Sequence, residues 1–212
     1  KSSPDALASR LLPPLIYGAG HPYAIPGTGS GTEASIAALT RDDLVAFHRD
    51  WIRPDNATLI VVGDTTPDAV LPMLERHFGN WQAPASARPA KTLPAAAPPA
   101  APRVFLVDKP GAIQSNILVG LAAPSTAAPN KLEMDTMNAV LAGTFTSRIN
   151  MNLREDKHWS YGARASLADA RGQRPWLLSA PVQTDKTVES MREILREVSE
   201  YVGARPATNE EV

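Results

Sequence analysis

Arg154 and Tyr161 are the two residues whose types and spacing best suit work on a peptide substrate. A guanidinium presents several N–H donors in a planar fork, and a phenol both donates and accepts hydrogen bonds, so together they can hold a peptide carbonyl. The same residue types also occur as an ordinary surface charge and a half-buried ring, which is the structural alternative. The residue types alone leave both interpretations open.

A change of hydrophobic period separates these two residues. Upstream, Ile149 and Leu153 are four residues apart, a spacing that predicts one apolar face of a helix running to Arg154. Downstream, small and apolar residues alternate with polar or small ones, which predicts a strand that starts near Tyr161 with one face turned inward. The alternating sets are Tyr161, Ala163, Ala165 and Leu167 on one side and Gly162, Arg164, Ser166 and Ala168 on the other. A helix-to-strand junction of this kind can bring both polar tips to one sheet edge.

The run Gly143–Lys157, GTFTSRINMNLREDK, followed by Ser160-Tyr161-Gly162, resembles the second-repeat signature of pitrilysin-type zinc metallopeptidases. That family includes insulin-degrading enzyme and mitochondrial processing peptidase. In it, the Arg and the Tyr of this motif lie in the repeat without zinc and reach across to substrate held at the catalytic repeat. The resemblance therefore implies that Arg154 and Tyr161 bind substrate. His158-Trp159 stands where a Gly and a small or aromatic residue are more usual.

The composition excludes several other classes of function. The chain has 212 residues, 43% hydrophobic and 20% charged, with a formal net charge of -1, which gives no electrostatic case for nucleic acid or an anionic membrane. No apolar run approaches the ~18 residues that predict a membrane span. The absence of cysteine excludes a disulfide scaffold, a thiolate zinc site and a cysteine nucleophile. Neither a Gly-x-Ser-x-Gly elbow nor a familiar order of triad residues occurs.

The first section predicts two helices and one strand. Thr40–Asp43 has the form of a capping box, and Thr66-Pro67 opens a second helix that ends at Gly79. Between them, Ala57–Val62 is a short uncharged run rich in β-branched residues, which predicts a buried strand. One strand and two helices cannot pair the backbone of a sheet, so we expect this section to be the remnant of a larger domain.

Residues 1–81 also resemble the closing part of a pitrilysin-type first repeat, the catalytic one. The matching runs are His21-Pro22-Tyr23, Leu39-Thr40, Phe47-His48, Arg53-Pro54-Asp55-Asn56-Ala57, Val61-Val62-Gly63-Asp64 and Phe78-Gly79-Asn80-Trp81. The resemblance implies that the inverted zinc motif His-x-x-Glu-His lies upstream, outside this chain. The four histidines have no recognised zinc spacing, which favours packing or surface roles. They are His21, His48, His77 and His158. We expect no metal ligand and no cofactor in this chain, with zinc held by the intact catalytic repeat.

Residues 82–102 are rich in Ala and Pro, which predicts an extended linker of polyproline type. From residue 103 the element order β, β, α, α, β, β, α predicts an α+β fold, an antiparallel sheet covered on one face by helices. The first two strands are placed at Val104–Val107 and Asn116–Leu121. The last helix is predicted to face the core through Val188, Met191, Leu195, Val198 and Val202.

This second section resembles a metallopeptidase half-domain of the LuxS/processing-peptidase type, so the whole chain is expected to be a truncated tandem repeat. Three regions are therefore predicted. Residues 1–81 are the end of the first repeat, and residues 82–102 are the linker. Residues 103–212 are a second repeat without zinc that is cut before its final helices.

The resulting hypothesis is that this chain is the substrate-binding, non-catalytic portion of a zinc-dependent endopeptidase that cleaves peptides or small proteins. It supplies no catalytic residue, and alone it is expected to be inactive. Its expected partners are a peptide substrate and a zinc-bearing repeat, in the same chain or in a partner subunit, with a dimer as one arrangement. The alternative is an inactive scaffold or assembly subunit that resembles the processing-peptidase-like core proteins of a respiratory complex. Abundant Ala and Pro without Cys suggest a bacterial periplasmic setting.

Overall fold

The computed structural model describes residues 4–25 and 29–212, and it divides into two compact units. The helical unit is Gly31–Thr92, and the sheet unit combines Lys1–Ser30 with Leu93–Val212. These limits differ from the repeat boundaries predicted from the sequence, because the first thirty residues group with the sheet. The assignment of 1–81, 82–102 and 103–212 to repeats and a linker remains a prediction about the parent protein.

The helical unit is built from three α-helices with locally encoded ends. The capping box is confirmed, since Thr40 Oγ1 accepts the Asp43 N–H at 3.3 Å and Asp43 Oδ2 accepts the Thr40 N–H at 2.8 Å. Pro67 opens the last of these helices and Gly79 follows it, as predicted. The elements are α2 (Glu33–Ala38), α3 (Arg41–Trp51), a 3₁₀ turn (Pro54–Asn56) and α4 (Pro67–Phe78).

The predicted strand at Ala57–Val62 is wrong for this structure. The segment forms no strand, and Ile60 and Val62 are 80% and 91% exposed. A strand requires a neighbour to pair its backbone N–H and C=O groups, and no other described segment pairs with this one. The segment has the β-branched composition of a strand, but no partner strand for it is present among the described residues.

The sheet unit contains a three-stranded antiparallel sheet in the order β1-β3-β2, which confirms the predicted α+β class. The strands are β1 (Gln114–Ala123), β2 (Arg164–Leu167) and β3 (Arg174–Gln183). In the register, Val119 pairs with Leu178, and Leu178 pairs with Ala165. The strand predicted at Val104–Val107 is wrong, because this segment is exposed and joins no ladder within the described chain.

Helices cover one face of this sheet. They are α5 (Lys131–Asn138), α6 (Arg148–Asn150) and α7 (Thr187–Tyr201), and single π-helical segments at Ala139–Gly143 and Met151–Asp156 continue α5 and α6. The core between the helices and the sheet is apolar, which is the main source of its stability. Its most buried members include Ala142, Ile149, Leu153, Leu178, Ala180 and Val182.

The face by which α7 packs differs from the predicted one. Of the predicted core positions, Met191 and Val198 pack against the core as expected, whereas Val188, Leu195 and Val202 are exposed. The buried positions of α7 are Ser190, Ile194 and Glu197. The reason is polar pairing across the helices. Asn152 Nδ2 donates to Glu197 Oε1 at 2.7 Å and to Glu193 Oε2 at 2.9 Å, and these bonds fix the rotation of α7 about its axis.

A further helix, α1 (Pro4–Tyr17), lies against the second face of the sheet. Gly120 permits this contact, because a Cβ on it would meet Ile16 Cδ1 at 2.6 Å. Tyr17 donates its hydroxyl to the Gln173 carbonyl at 3.0 Å, and burial raises the pKa of Tyr17 to about 12. In the part of the chain that the structure describes, no helix combines the length and the apolar character that crossing a bilayer requires.

Candidate functional site

Arg154 is positioned by a helix whose apolar side is fully buried. Ile149 and Leu153 are completely inaccessible, so the predicted apolar face with a spacing of four is confirmed. Arg154 follows directly on Leu153, within the π-helical segment Met151–Asp156. Single π-helical turns within α-helices are frequent at functional sites. The buried neighbours fix the backbone of Arg154, while its side chain remains 37% exposed.

The guanidinium of Arg154 has two neighbours. Its Nε lies 3.3 Å from Glu155 Oε1, and its Cζ lies 4.5 Å from the centroid of the Phe145 ring, a cation–π distance. Among the described residues, no side-chain hydrogen bond from either terminal nitrogen of Arg154 is formed. Arg154 is thus neither a buried, fully paired arginine nor a fully extended surface charge. Its terminal donors remain free to meet a ligand.

The turn after Arg154 is held by hydrogen bonds to its backbone atoms. The Trp159 N–H donates to the Leu153 carbonyl at 2.9 Å, and Gln183 Nε2 donates to the His158 carbonyl at 3.0 Å. His158 has φ 57°, the left-handed region that glycine adopts most easily. This conformation explains why a Gly would suit the position, and His158 adopts it with its Nδ1 3.0 Å from the Arg154 carbonyl.

Tyr161 lies at the far end of the same turn and is 89% exposed. The strand predicted to begin near Tyr161 begins only at Arg164, and Ala163 and Ala165 are buried in the core. The preceding Ser160 donates its hydroxyl to the Pro181 carbonyl at 2.6 Å and forms an isolated bridge with Val182. The backbone beside Tyr161 is therefore anchored to β3, and its phenol faces solvent.

Asn150 is a residue of this site that the sequence did not single out. It is 4% exposed, its Nδ2 donates to the Phe145 carbonyl at 2.5 Å, and its Oδ1 accepts the Ala163 N–H at 2.9 Å. One side chain thus joins the Phe145 loop, the helix of Arg154 and the segment that follows Tyr161. The sequence signal that could have identified Asn150 is its position four residues before Arg154, a spacing that places the two on one side of a helix.

The described residues offer no site for the zinc of the family. They contain no group of three or more His, Asp or Glu side chains arranged to hold a metal ion. Of the histidines, His21 is held by its neighbours: His21 Nε2 lies 2.9 Å from the Pro94 carbonyl, and its Nδ1 accepts the Tyr23 N–H at 2.9 Å. The ring of His21 also stacks on Tyr17 at 4.8 Å, which is a packing role.

A large cavity in the described part of the chain lies away from Arg154 and Tyr161. It is an open, mostly apolar groove of about 1550 Å³ between α1 and the second face of the sheet, and neither residue lines it. Its wall includes Leu12, Ile16, Leu118 and Leu177. Because neither of the residues that the family resemblance singles out lines this groove, we centre the candidate site on the turn between Arg154 and Tyr161.

Comparisons with known proteins bear on the family and the fold of this chain. Residues 38–212 match the family model described as the peptidase M16 inactive domain. An uncharacterized zinc protease of Mycobacterium leprae is 25% identical over 206 residues, which cover 92% of this chain and 43% of that protein. This chain therefore spans less than half the length of that relative.

Two solved structures share the fold at low sequence identity. A peptidase M16 inactive domain from Pseudomonas fluorescens aligns with a TM-score of 0.76 at 20% identity, over 97% of this chain and 48% of that chain. A chain of complex III2 from Candida albicans aligns with a TM-score of 0.74 at 15% identity, over 99% and 49% of the two chains. The family match extends over both Arg154 and Tyr161 and agrees with the fold, and this chain therefore belongs to the peptidase M16 inactive domain family, within the pitrilysin-type zinc metallopeptidases.

Proposed function

We propose that this chain is the substrate-binding, non-catalytic portion of a zinc-dependent endopeptidase, and that Arg154 and Tyr161 hydrogen-bond the backbone of the bound peptide. The observation that carries the proposal is the turn between them. Its backbone is fixed by buried Leu153 and by Ser160, yet Tyr161 is 89% exposed, and the Arg154 side chain is 37% exposed with no side-chain hydrogen bond from its terminal nitrogens among the described residues. Rigid backbone with accessible donors is what preorganised substrate binding requires.

On this proposal, a zinc-bearing repeat supplies the chemistry, either in the same polypeptide or in a partner subunit. Residues 1–81 are then the end of that first repeat, 82–102 the connection and 103–212 the second repeat. Arg154 and Tyr161 would then reach across to a peptide that is held at the zinc-bearing repeat. The periplasmic setting and a dimeric arrangement remain predictions.

The test is a pair of substitutions, Arg154→Ala and Tyr161→Phe, in the complete protein that contains both repeats. Loss of a charged hydrogen bond made to the reacting peptide is expected to cost ~2–4 kcal/mol of transition-state stabilisation, roughly tens- to hundreds-fold in kcat/KM. Thermal stability should stay close to wild type, since both side chains are exposed. Arg192→Ala, at an exposed arginine of α7, is the matched control and should retain full activity.

The outcomes separate the proposal from its alternative. Unchanged kcat/KM in both variants with an intact fold would overturn the substrate-binding role. A scaffold or assembly subunit predicts instead that the parent protein and its partners carry no His-x-x-Glu-His segment and release no peptide products. Reading the sequence upstream of this chain, and that of any co-encoded chain, therefore discriminates the two functions before any kinetic measurement.

We also propose that this chain binds no zinc stoichiometrically. A structural or catalytic zinc needs three or four converging N, O or S ligands, and the histidines of this chain are far apart in sequence. Metal analysis of the purified chain after dialysis should find zinc well below one equivalent. One tightly held zinc per chain, lost on replacing any one histidine, would contradict this.

A further inference from the structure

Phe145 is an exposed aromatic residue that does not serve the core. Its side chain is 61% accessible, and its ring lies beneath the Arg154 guanidinium with 4.5 Å between Cζ and the ring centroid. A single exposed apolar residue needs no explanation by itself. The contact with the candidate substrate-binding arginine is what gives this one a role.

The loop that carries Phe145 is held at several points. The Phe145 carbonyl accepts from Asn150 Nδ2 at 2.5 Å, and Thr144 donates its hydroxyl to the Ala139 carbonyl at 3.1 Å. On the other side, Ser147 donates its hydroxyl to the Thr144 carbonyl at 2.6 Å. These bonds fix the backbone on both sides of Phe145, so its ring is a stable surface on which a guanidinium can rest.

Two contacts constrain Arg154 in different directions. The Phe145 ring restricts the position of the guanidinium from one side, and Glu155 holds the Nε edge at 3.3 Å. A long, unrestrained arginine loses much rotamer freedom when it binds a ligand, and a side chain held in advance loses less. The arrangement leaves the two terminal nitrogens of Arg154 available while it limits where they point.

We propose that Phe145 is a positioning residue for Arg154: its ring holds the guanidinium in the orientation that offers the terminal nitrogens to a peptide carbonyl. This inference rests on the proposed substrate-binding role of Arg154. It predicts that Phe145 acts through Arg154 and not through its own contact with a substrate side chain. The two possibilities differ in what happens when Arg154 is absent.

The experiment is a double-mutant cycle in the complete protein, with Phe145→Leu, Arg154→Ala and the double variant compared by kcat/KM. Leucine keeps an apolar side chain but removes the ring face. We expect Phe145→Leu to lower kcat/KM roughly two- to five-fold, the equivalent of the ~0.5–1 kcal/mol of an exposed cation–π contact at 1.36 kcal/mol per tenfold. In the Arg154→Ala background the same substitution should have no further effect.

Rescue by other aromatic residues sharpens the test. Phe145→Trp and Phe145→Tyr keep a π face and should retain activity near wild type, whereas a role in volume alone would not favour them over leucine. These variants also cover the case in which Phe145→Leu folds poorly. Melting temperatures of all variants are measured beside the kinetics to exclude a change in the folded fraction.

Each result has a distinct meaning. An equal loss from Phe145→Leu with and without Arg154 would show that the ring acts independently, and would overturn the positioning role while leaving the proposed function intact. Full activity of Phe145→Leu would overturn the positioning role as well. Full activity of Arg154→Ala would overturn the proposed role of Arg154 in substrate binding, and the inference with it.

Discussion

The side-chain oxygen of Asn150 accepts the backbone N–H of Ala163 at 2.9 Å, across thirteen positions of the chain. Through its Nδ2 the same amide donates to the Phe145 carbonyl at 2.5 Å. Asn150 lies four residues before Arg154, and Ala163 two residues after Tyr161. A single buried amide therefore ties together the segments that carry both candidate substrate-binding residues.

Replacement of Asn150 by alanine should destabilise the sheet unit strongly. It would leave the buried Ala163 N–H and the Phe145 carbonyl without their partner, and an unsatisfied buried group costs ~1–3 kcal/mol. We expect a loss of about 2–3 kcal/mol in the free energy of unfolding, measured by urea denaturation. Asn150→Asp keeps the acceptor but loses the donor, and it places a carboxylate against the Phe145 carbonyl, so it should also destabilise.

Asn130→Ala is the matched control for this experiment. Asn130 is exposed and makes no side-chain cap at the start of α5, so its replacement should change the free energy of unfolding by less than ~0.5 kcal/mol. A similarly small effect of Asn150→Ala would contradict the structural role assigned to Asn150.

The conformation of His158 gives a second prediction. At φ 57°, a β-branched residue is strained whereas glycine is not. His158→Val should lower the free energy of unfolding by ~1–2 kcal/mol, and His158→Gly should leave it within ~0.5 kcal/mol of wild type or raise it. Chemical denaturation of the three proteins measures both values.

Lys157→Val separates the effect of φ from that of β-branching. Lys157 has φ -98°, which any residue adopts, so valine there should be tolerated far better than at His158. Equal losses at the two positions would mean that strain in the left-handed region is not the cause.

The features that the sequence predicted are those encoded locally. The Thr40–Asp43 capping box depends on four consecutive residues, and the apolar face formed by Ile149 and Leu153 depends on one helical turn. Both could therefore be predicted without knowledge of the rest of the fold. β1 was also predicted, because its β-branched run finds β3 as a partner within the described chain.

The features that the sequence could not predict depend on distant partners. Ala57–Val62 and Val104–Val107 have strand composition but no neighbouring strand, and composition does not reveal whether a partner exists. The rotation of α7 is set by Asn152 and Glu197, which are 45 residues apart. The stack of Phe145 on Arg154 also joins a loop to a helix, and no periodicity in the sequence indicates it.

The connection between the two compact units yields a third prediction. Two contacts hold the chain just after it enters the sheet unit at Leu93. His21 contacts the Pro94 carbonyl, and the Ala96 N–H donates to Gln173 Oε1 at 2.6 Å. Lys91 lies just before the unit boundary, exposed and without a backbone hydrogen bond among the described residues. We expect trypsin to cut first after Lys91, leaving a fragment that begins at Thr92.

The nearest basic residues on either side are poorer sites, which makes this cleavage test selective. Arg88 precedes Pro89, before which trypsin does not cut, and Arg103 donates its Nη2 to the Leu15 carbonyl at 2.6 Å. Lys91→Gln should abolish the early cleavage while leaving the folded protein unchanged. A first cut inside β1 or after Arg103 in the wild type would show that the boundary lies elsewhere.

The last prediction concerns the C-terminal segment, which Arg148 holds against the sheet unit. Arg148 donates from Nε and Nη2 to the two carboxylate oxygens of Glu211 at 2.7 and 2.6 Å, and from Nη2 to the Pro206 carbonyl at 3.0 Å. The Arg148 guanidinium, helped by the Thr208 N–H, lowers the pKa of Glu211 to about 2. The ion pair thus persists at a pH where an ordinary glutamate is half protonated.

The sign of the pH dependence follows from this depressed pKa. Since the folded state holds the Glu211 proton less tightly than the unfolded state, the contribution of Glu211 to stability is fully present above the ordinary glutamate pKa of 4.5 and is lost as the pH falls toward about 2. The difference in unfolding free energy between wild type and Glu211→Gln should therefore be constant above about pH 5 and shrink between there and pH 2. An NMR titration of the Glu211 carboxyl should give a midpoint near 2. Glu210→Gln, at the exposed neighbouring glutamate, is the control variant and should leave the Glu211 midpoint unchanged. A Glu211 midpoint near 4.5 would mean that Arg148 does not hold the C-terminal segment in solution.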